Sequence, residues 1–242
     1  MSEIVSAFGR ALVSLRAPGM VWHMVWPMLF AFVLWTVGGI WSWSVLTGSA
    51  MAWIESWPWA GEWVRASDVA WGIALVLVKI AIVIALIPLI YLTTTLLVAL
   101  FALPMMIDRV AREEYPELEQ RKGGSNLGSL FNTLWVSVIF LVLLIASLPL
   151  WLIPGVGLLV SIVLTAWLNA RAFGYDSLMQ HADRAELQHL PKSRREPMLL
   201  LGAACALLAH IPLVHLVAPP FSALAFVHYM LRSLAQERAA NV

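Results

Sequence analysis

The chain has 242 residues and a net charge of +1; 61% of it is hydrophobic and only 12% is Asp, Glu, Lys or Arg. A soluble domain carries about 45–50% apolar and about 25% charged residues, and a chain this long cannot enclose such a surplus in one core. A soluble enzyme is therefore excluded, a nucleic-acid partner has no electrostatic footprint, and one cysteine, Cys205, allows no internal disulfide or thiolate metal cluster.

Residues 1–16 come first. Ile4, Phe8, Ala11 and Leu15 share one helical face, with Ser6, Arg10 and Ser14 elsewhere, which predicts an amphipathic helix at a membrane surface. Glu3, Arg10 and Arg16 with no small-residue cleavage site speak against a cleaved signal. A spanning helix needs about 20 mostly apolar residues, and 22–45 offers such a run without a formal charge. The stretch 46–68 then reads as a loop whose Trp53, Trp57, Trp59 and Trp63 sit at headgroup level. A second run, 69–103, is interrupted only by Lys79 and Pro88. It would reach about 52 Å, so it must tilt, kink at Pro88 or project beyond the lipid. Gly123-Gly124-Ser125-Asn126 reads as a flexible linker that restarts a helix. The runs 131–150 and 156–173 flank Trp151-Leu152-Ile153-Pro154-Gly155, and 198–211 and 216–231 form a shorter pair. Each arm of that last pair spans about 21–24 Å, shy of a full crossing.

Basic residues set the orientation. Arg10 and Arg16 precede the first run; Arg109, Arg112, Arg121 and Lys122 follow the second; Arg171, Arg184, Lys192, Arg194 and Arg195 lie between the later pairs; Arg232 and Arg238 close the chain. Only Arg65 falls in 46–68. The positive-inside rule then puts both termini in the cytoplasm and 46–68 outside. Each later pair must return to the side it left. The expectation is an all-α integral membrane protein, one domain over 1–242, with two long transmembrane helices plus two re-entrant, hemi-penetrating helical hairpins. Two ordinary spans with a tight outer turn are the alternative for 131–173.

Five stretches carry a family resemblance. They are Ala17-Pro18-Gly19-Met20 leading to Trp26-Pro27; Leu103-Pro104; Trp151-Leu152-Ile153-Pro154-Gly155-Val156-Gly157; Ala166-Trp167-Leu168-Asn169 through Tyr175-Asp176 to His181; and Ile211-Pro212 followed by Pro219-Pro220. In this order the chain resembles the CysZ family of bacterial sulfate-uptake membrane proteins and their wider EI24 superfamily. The resemblance implies a multi-pass bacterial inner-membrane protein with cytoplasmic termini that forms a homo-oligomer in the lipid bilayer and passes sulfate or a related anion. In the sulfate proteins the Pro-Gly pair is followed by a bulky residue and then an arginine. Here the stretch is Pro18-Gly19-Met20-Val21, without it.

The anion-binding or pore candidates are Arg16, Pro18, Gly19, Met20, Lys79, Arg109 and Arg112. A Pro18-Gly19 helix start could present backbone amides at a positive dipole end, with Arg16 and His23 replacing the missing arginine; the plainer reading is a turn between two helices. Lys79 is costly inside a span and lines a pore, snorkels outward or pairs with another subunit. Arg109 and Arg112, beside Asp108, Glu113 and Glu114, form either an anion vestibule or a solvated charged face. His210 and His215 read as caps of a hairpin tip rather than metal ligands. Tyr175, Asp176, His181, Asp183 and Glu186 read as helix caps and a salt-bridged connector. No Gly-x-Ser-x-Gly, His-Glu-x-x-His or phosphate-loop motif occurs, so neither enzyme nor cofactor is expected. The sequence thus predicts a channel or transporter for a small inorganic anion, with a non-transporting protein that binds lipid or a partner as the alternative.

Overall fold

A computed structural model describes residues 2–16, 19–211 and 213–240. Helix makes up 86% of the structure, and no strand occurs among the described residues. The chain divides into two compact units, one of residues 1–28 and 94–242, the other of 29–93. The helices are α1 (Ser2–Ser14), α2 (Met20–Glu55), α3 (Pro58–Arg65), α4 (Asp68–Leu97), α5 (Leu103–Glu114), α6 (Asn126–Ala146), α7 (Val156–Asp176), α8 (Arg184–Ser193), α9 (Arg195–Ala209) and α10 (Val214–Ala240). Among the described residues five helical stretches are long and apolar enough to cross a membrane: Met20–Glu55, Asp68–Glu114, Leu127–Ala146, Val156–Asp176 and Val214–Ala240. The all-helical membrane class read from composition is the class observed.

In the smaller unit the second part of α2 runs antiparallel to the first part of α4. The pairing is read from Trp35 Nε1, which donates to Thr93 Oγ1 at 2.8 Å, and from Gly39, whose Cα faces the Leu86 side chain. At the other end Met51, Val64, Ala74 and Val78 make a small buried cluster. The expected loop over 46–68 is mostly helix, because nothing interrupts α2 until Glu55 and Pro58 then opens α3. The Arg65 guanidinium donates to the Glu55 carbonyl at 2.9 Å, closing the end of α2. The tryptophans do cluster there, with Trp53 and Trp57 edge to face at 4.5 Å.

The expected second run also extends further. Helix continues from Asp68 to Glu114, and α4 passes through Pro88. Its one change of register is a π turn at Val98–Ala102. Pro104 follows immediately and has no N–H to donate one turn back, so the local ladder reorganises ahead of it.

In the larger unit α10 is the central post. Ala218 to Leu231 are buried without a break, as expected of a helix surrounded on all sides. Phe173, Leu103, Met106, Ile107, Leu201 and Phe226 join it in the core. The face of α1 expected to meet lipid is filled by the core instead: Ala11 is buried there, Ile4 and Leu15 pack against it, and Phe8 meets Phe221 edge to face at 4.9 Å. Off that face, Arg232 donates to Ser6 Oγ at 3.1 Å. Val5, Leu12 and Val13 on its other side stay exposed.

α6 and α7 form the first hairpin. Gly155 turns its tip at φ +81°, and Gly157 leaves room for the Trp151 indole, which a Cβ would meet at 2.8 Å. Each arm has 21 residues, about 31 Å, so length alone permits a crossing. The second pair is uneven. α9 has 15 residues and α10 has 27, because the helix continues through Gln236, Glu237 and Arg238 beyond the expected end at 231. The expected Ile211-Pro212 tip includes Pro212, which lies outside the described residues. Beside it, the His210 Nδ1–H donates to the Ala206 carbonyl at 2.7 Å, and Ser161 bonds its Nε2 at 2.9 Å. His210 thus caps a freed carbonyl, as expected of it.

The glycine linker is held rather than flexible. Backbone N–H groups of Arg121, Lys122, Gly123 and Gly124 donate to carbonyls of 179–182. The approach is close enough that a Cβ on Gly123 would strike the backbone of Ala182 and Asp183. Ser125 then caps α6, accepting from Gly128 N at 3.0 Å.

Candidate functional site

The candidate site is a cavity of about 500 Å³ lined by Met20, Met105, Met106, Asp108, Arg109, Arg112 and Glu113. All these residues belong to the larger unit. Met20 is the first residue of α2, entered through Gly19 at φ +80°. The rest come from α5, where 105, 109, 112 and 113 recur at helical spacing and so share one side. Three of the seven candidates named from the sequence, Met20, Arg109 and Arg112, are thus brought together. Met105 and Met106 were not foreseen; their spacing to Arg109 was the available signal. Met106 is fully buried and Met105 is exposed, so the cavity has a deep soft wall and an open lip.

The charges nearly balance. Arg109 Nε donates to Glu113 Oε1 at 2.9 Å, and Arg112 Nε donates to the Asp108 carbonyl at 3.0 Å. Two carboxylates therefore share the cavity with two guanidiniums. An incoming anion must compete with Glu113 for Arg109, whereas Arg112 spends only one N–H on a neutral acceptor. The arrangement can hold a small oxyanion weakly, as passage requires.

The remaining candidates lie elsewhere. Arg16 follows α1, exposed, with its N–H on the Val13 carbonyl at 3.0 Å, and it does not line the cavity. Pro18 lies outside the described residues. Lys79 belongs to the smaller unit, half-buried between Leu75 and Ile82, which pack on that unit's cluster. Among the described residues no carboxylate stands within ion-pair distance of it.

A polar tie fixes the end of α5 beside this cavity. Arg10 binds Glu114 Oε2 at 2.8 Å and donates to the Tyr115 hydroxyl at 3.1 Å. Glu114 Oε1 also stands 3.3 Å from Nδ1 of buried His228, whose Nε2 bonds Ser14 Oγ at 2.8 Å. Burial pushes the Tyr115 phenol up, against the pull of Arg10. α1 is thereby bonded to α5 through Arg10 and to α10 through Ser14, and Arg109 is presented from a fixed helix end.

The expected cap-and-connector role of the 175–186 cluster is also visible. Asp183 accepts from Ala185 N and Glu186 N, while Glu186 returns a bond to Asp183 N. Those backbone bonds hold the Asp183 carboxyl below its ordinary range, and Arg238 does the same for Glu186. Asp176 points inward, taking a hydrogen bond from Thr133 Oγ1 at 3.1 Å.

A family model described as "Sulfate transporter CysZ/Etoposide-induced protein 2.4" matches residues 7–220. No curated protein and no solved structure matches the chain.

Proposed function

We propose a transport function from kinship and geometry together: this chain belongs to the EI24 family, a membrane family with transporter-like function. It is a multi-pass protein of a bacterial inner membrane, with both termini cytoplasmic, and it passes a small inorganic anion such as sulfate. It works as a homo-oligomer and without a cofactor or enzymatic step. The two later helix pairs enter and return on the cytoplasmic side. One observation carries the reading: Arg109 and Arg112 line a single cavity with the first residue of α2. That cavity supplies cationic hydrogen-bond donors, and the neighbouring carboxylates keep the anion from being held too tightly.

The test is uptake of radiolabelled sulfate into proteoliposomes. Flux should exceed that of empty vesicles and fall at least tenfold for Arg109→Ala or Arg112→Ala. Absence of flux for sulfate, sulfite, thiosulfate and chloride alike would overturn the reading. It would favour a non-transporting membrane protein, the reading supported by the Glu113 carboxylate already seated on Arg109.

A further inference from the structure

A second cavity, about 650 Å³, opens in the larger unit between α7, α8 and the start of α9. Arg171, Arg184, Lys192 and Arg195 line it, and among the described residues no Asp or Glu does. All four are exposed. None has a carboxylate within ion-pair distance among the described residues. This contrasts with the rest of the same surface, where Arg121, Arg194 and Arg238 each have an acidic partner. Four like charges around one hollow repel one another unless a shared anion neutralises them.

The walls are apolar. Trp167, Leu187, Pro191 and Met198 line the cavity with the four cations, and Leu187 and Met198 are buried. Gly174 admits the Met198 methyl so closely that a Cβ there would overlap it. Asn132 Nδ2 donates to the Arg171 carbonyl at 3.2 Å and fixes the α6 side. The cavity also sits at the polar end of a helix apolar enough to span a membrane, with an indole about two and a half turns back from that end. A free oxyanion needs only the cations; an apolar floor beneath them suits a molecule with a charged head and a hydrocarbon body.

We propose that this cavity binds an anionic phospholipid. Arg171, Arg184, Lys192 and Arg195 face the phosphate oxygens, the guanidinium forks matching them two at a time. Trp167, Leu187 and Met198 meet the glycerol and the first acyl carbons. Basic pockets between membrane helices take such headgroups by this combination of charge and grease. The residues are separate from those of the Arg109 cavity, so this site stands or falls apart from the transport reading.

The experiment uses the full chain, purified in a neutral detergent and followed by native mass spectrometry. The ligands are dioleoylphosphatidylglycerol, dioleoylphosphatidylcholine and inorganic phosphate. The glycerol lipid should bind at least tenfold more tightly than the choline lipid. In the variant Arg184→Ala/Lys192→Ala/Arg195→Ala its affinity should fall about 100-fold, or about 3 kcal/mol at 1.4 kcal/mol per tenfold step, with choline-lipid binding unchanged. Lys192→Gln alone, an exposed change that spares the fold, should cost about fivefold, and Arg184→Lys should keep the preference. Equal binding of the two lipids, or a triple variant that keeps the preference, overturns the proposal. Inorganic phosphate binding as tightly as the glycerol lipid overturns it as well, in favour of a free-oxyanion site.

Discussion

Arg238 grips Glu186 through two parallel hydrogen bonds, Nε to Oε1 and Nη2 to Oε2, each 2.8 Å. Both side chains are only about 15% exposed. The same guanidinium reaches the carbonyls of Glu119 at 3.0 Å and His181 at 2.8 Å. One residue near the end of α10 thus holds the capped start of α8 and the connector that precedes α6.

Removal of that grip should be costly. Arg238→Ala takes the charged donor from a shielded carboxylate, which keeps the Asp183 N–H, and from the Glu119 and His181 carbonyls, a loss of about 2–3 kcal/mol. Arg121→Ala removes a 41% exposed guanidinium from the same acids and should cost under about 1 kcal/mol. Thermal denaturation in detergent compares them; equal losses would contradict the bidentate account.

Acid should weaken this same region. The Glu186 carboxyl is held below its ordinary 4.5, chiefly by the Arg238 hydrogen bond, so its contribution is complete above that value and is lost as pH falls through the lower folded value. His181 is held below its ordinary 6.5, chiefly by burial, with Asp108 opposing. A depressed imidazole has the same sign: the unfolded chain takes up the proton first, so stability begins to fall below about pH 6.5. Melting temperature should decline from pH 7 to pH 4, and His181→Asn should make the upper part of the decline shallower. A flat profile would refute both assignments.

Glu113 competes with any anion for Arg109. Glu113→Gln keeps the shape and removes the charge, so sulfate uptake should become half-saturated at an about threefold to tenfold lower concentration. An unchanged half-saturation concentration in proteoliposomes would mean that permeating anions do not visit Arg109.

The two hairpins meet through backbone. A Cβ on Gly202 in α9 would run into the Ala166 carbonyl of α7, so Gly202→Ala should cost about 1–3 kcal/mol through overpacking. Gly9 in α1 has open space around it, and Gly9→Ala should be neutral or gain up to about 1 kcal/mol in helix propensity. Denaturation should come earlier for the Gly202 variant and no earlier than in the parent chain for the Gly9 variant.

Much of this architecture was legible in the sequence because apolar length and charge placement report directly on a bilayer. The long helices, the Gly155 tip and the caps at Asp183 and His210 follow from local chemistry. The extension of α2 through 46–55 was hidden because Trp53 and its neighbours suit a helix and a headgroup loop equally. The held linker at Gly123 was hidden because glycine signals both freedom and close approach, and only the turn at 179–182 that it bonds decides which. Of the candidate site, Met20, Arg109 and Arg112 were readable as residue types at helix ends. Met106 was signalled only by its spacing to Arg109, and the basic hollow at Arg184 not at all, since it depends on which helices meet.

The π turn at Val98–Ala102 carries one surplus residue, and each residue in a helix rotates the next by about 100°. Side chains beyond it are therefore out of phase with those of α4 before it. A helical wheel drawn straight through from Asp68 would aim Arg109 and Arg112 at the wrong quadrant. Excision of a single residue there would let plain α-helix run through and leave both guanidiniums facing Met20, whereas excision of a second would turn them by about 100° and disarm the cavity without touching any group that lines it.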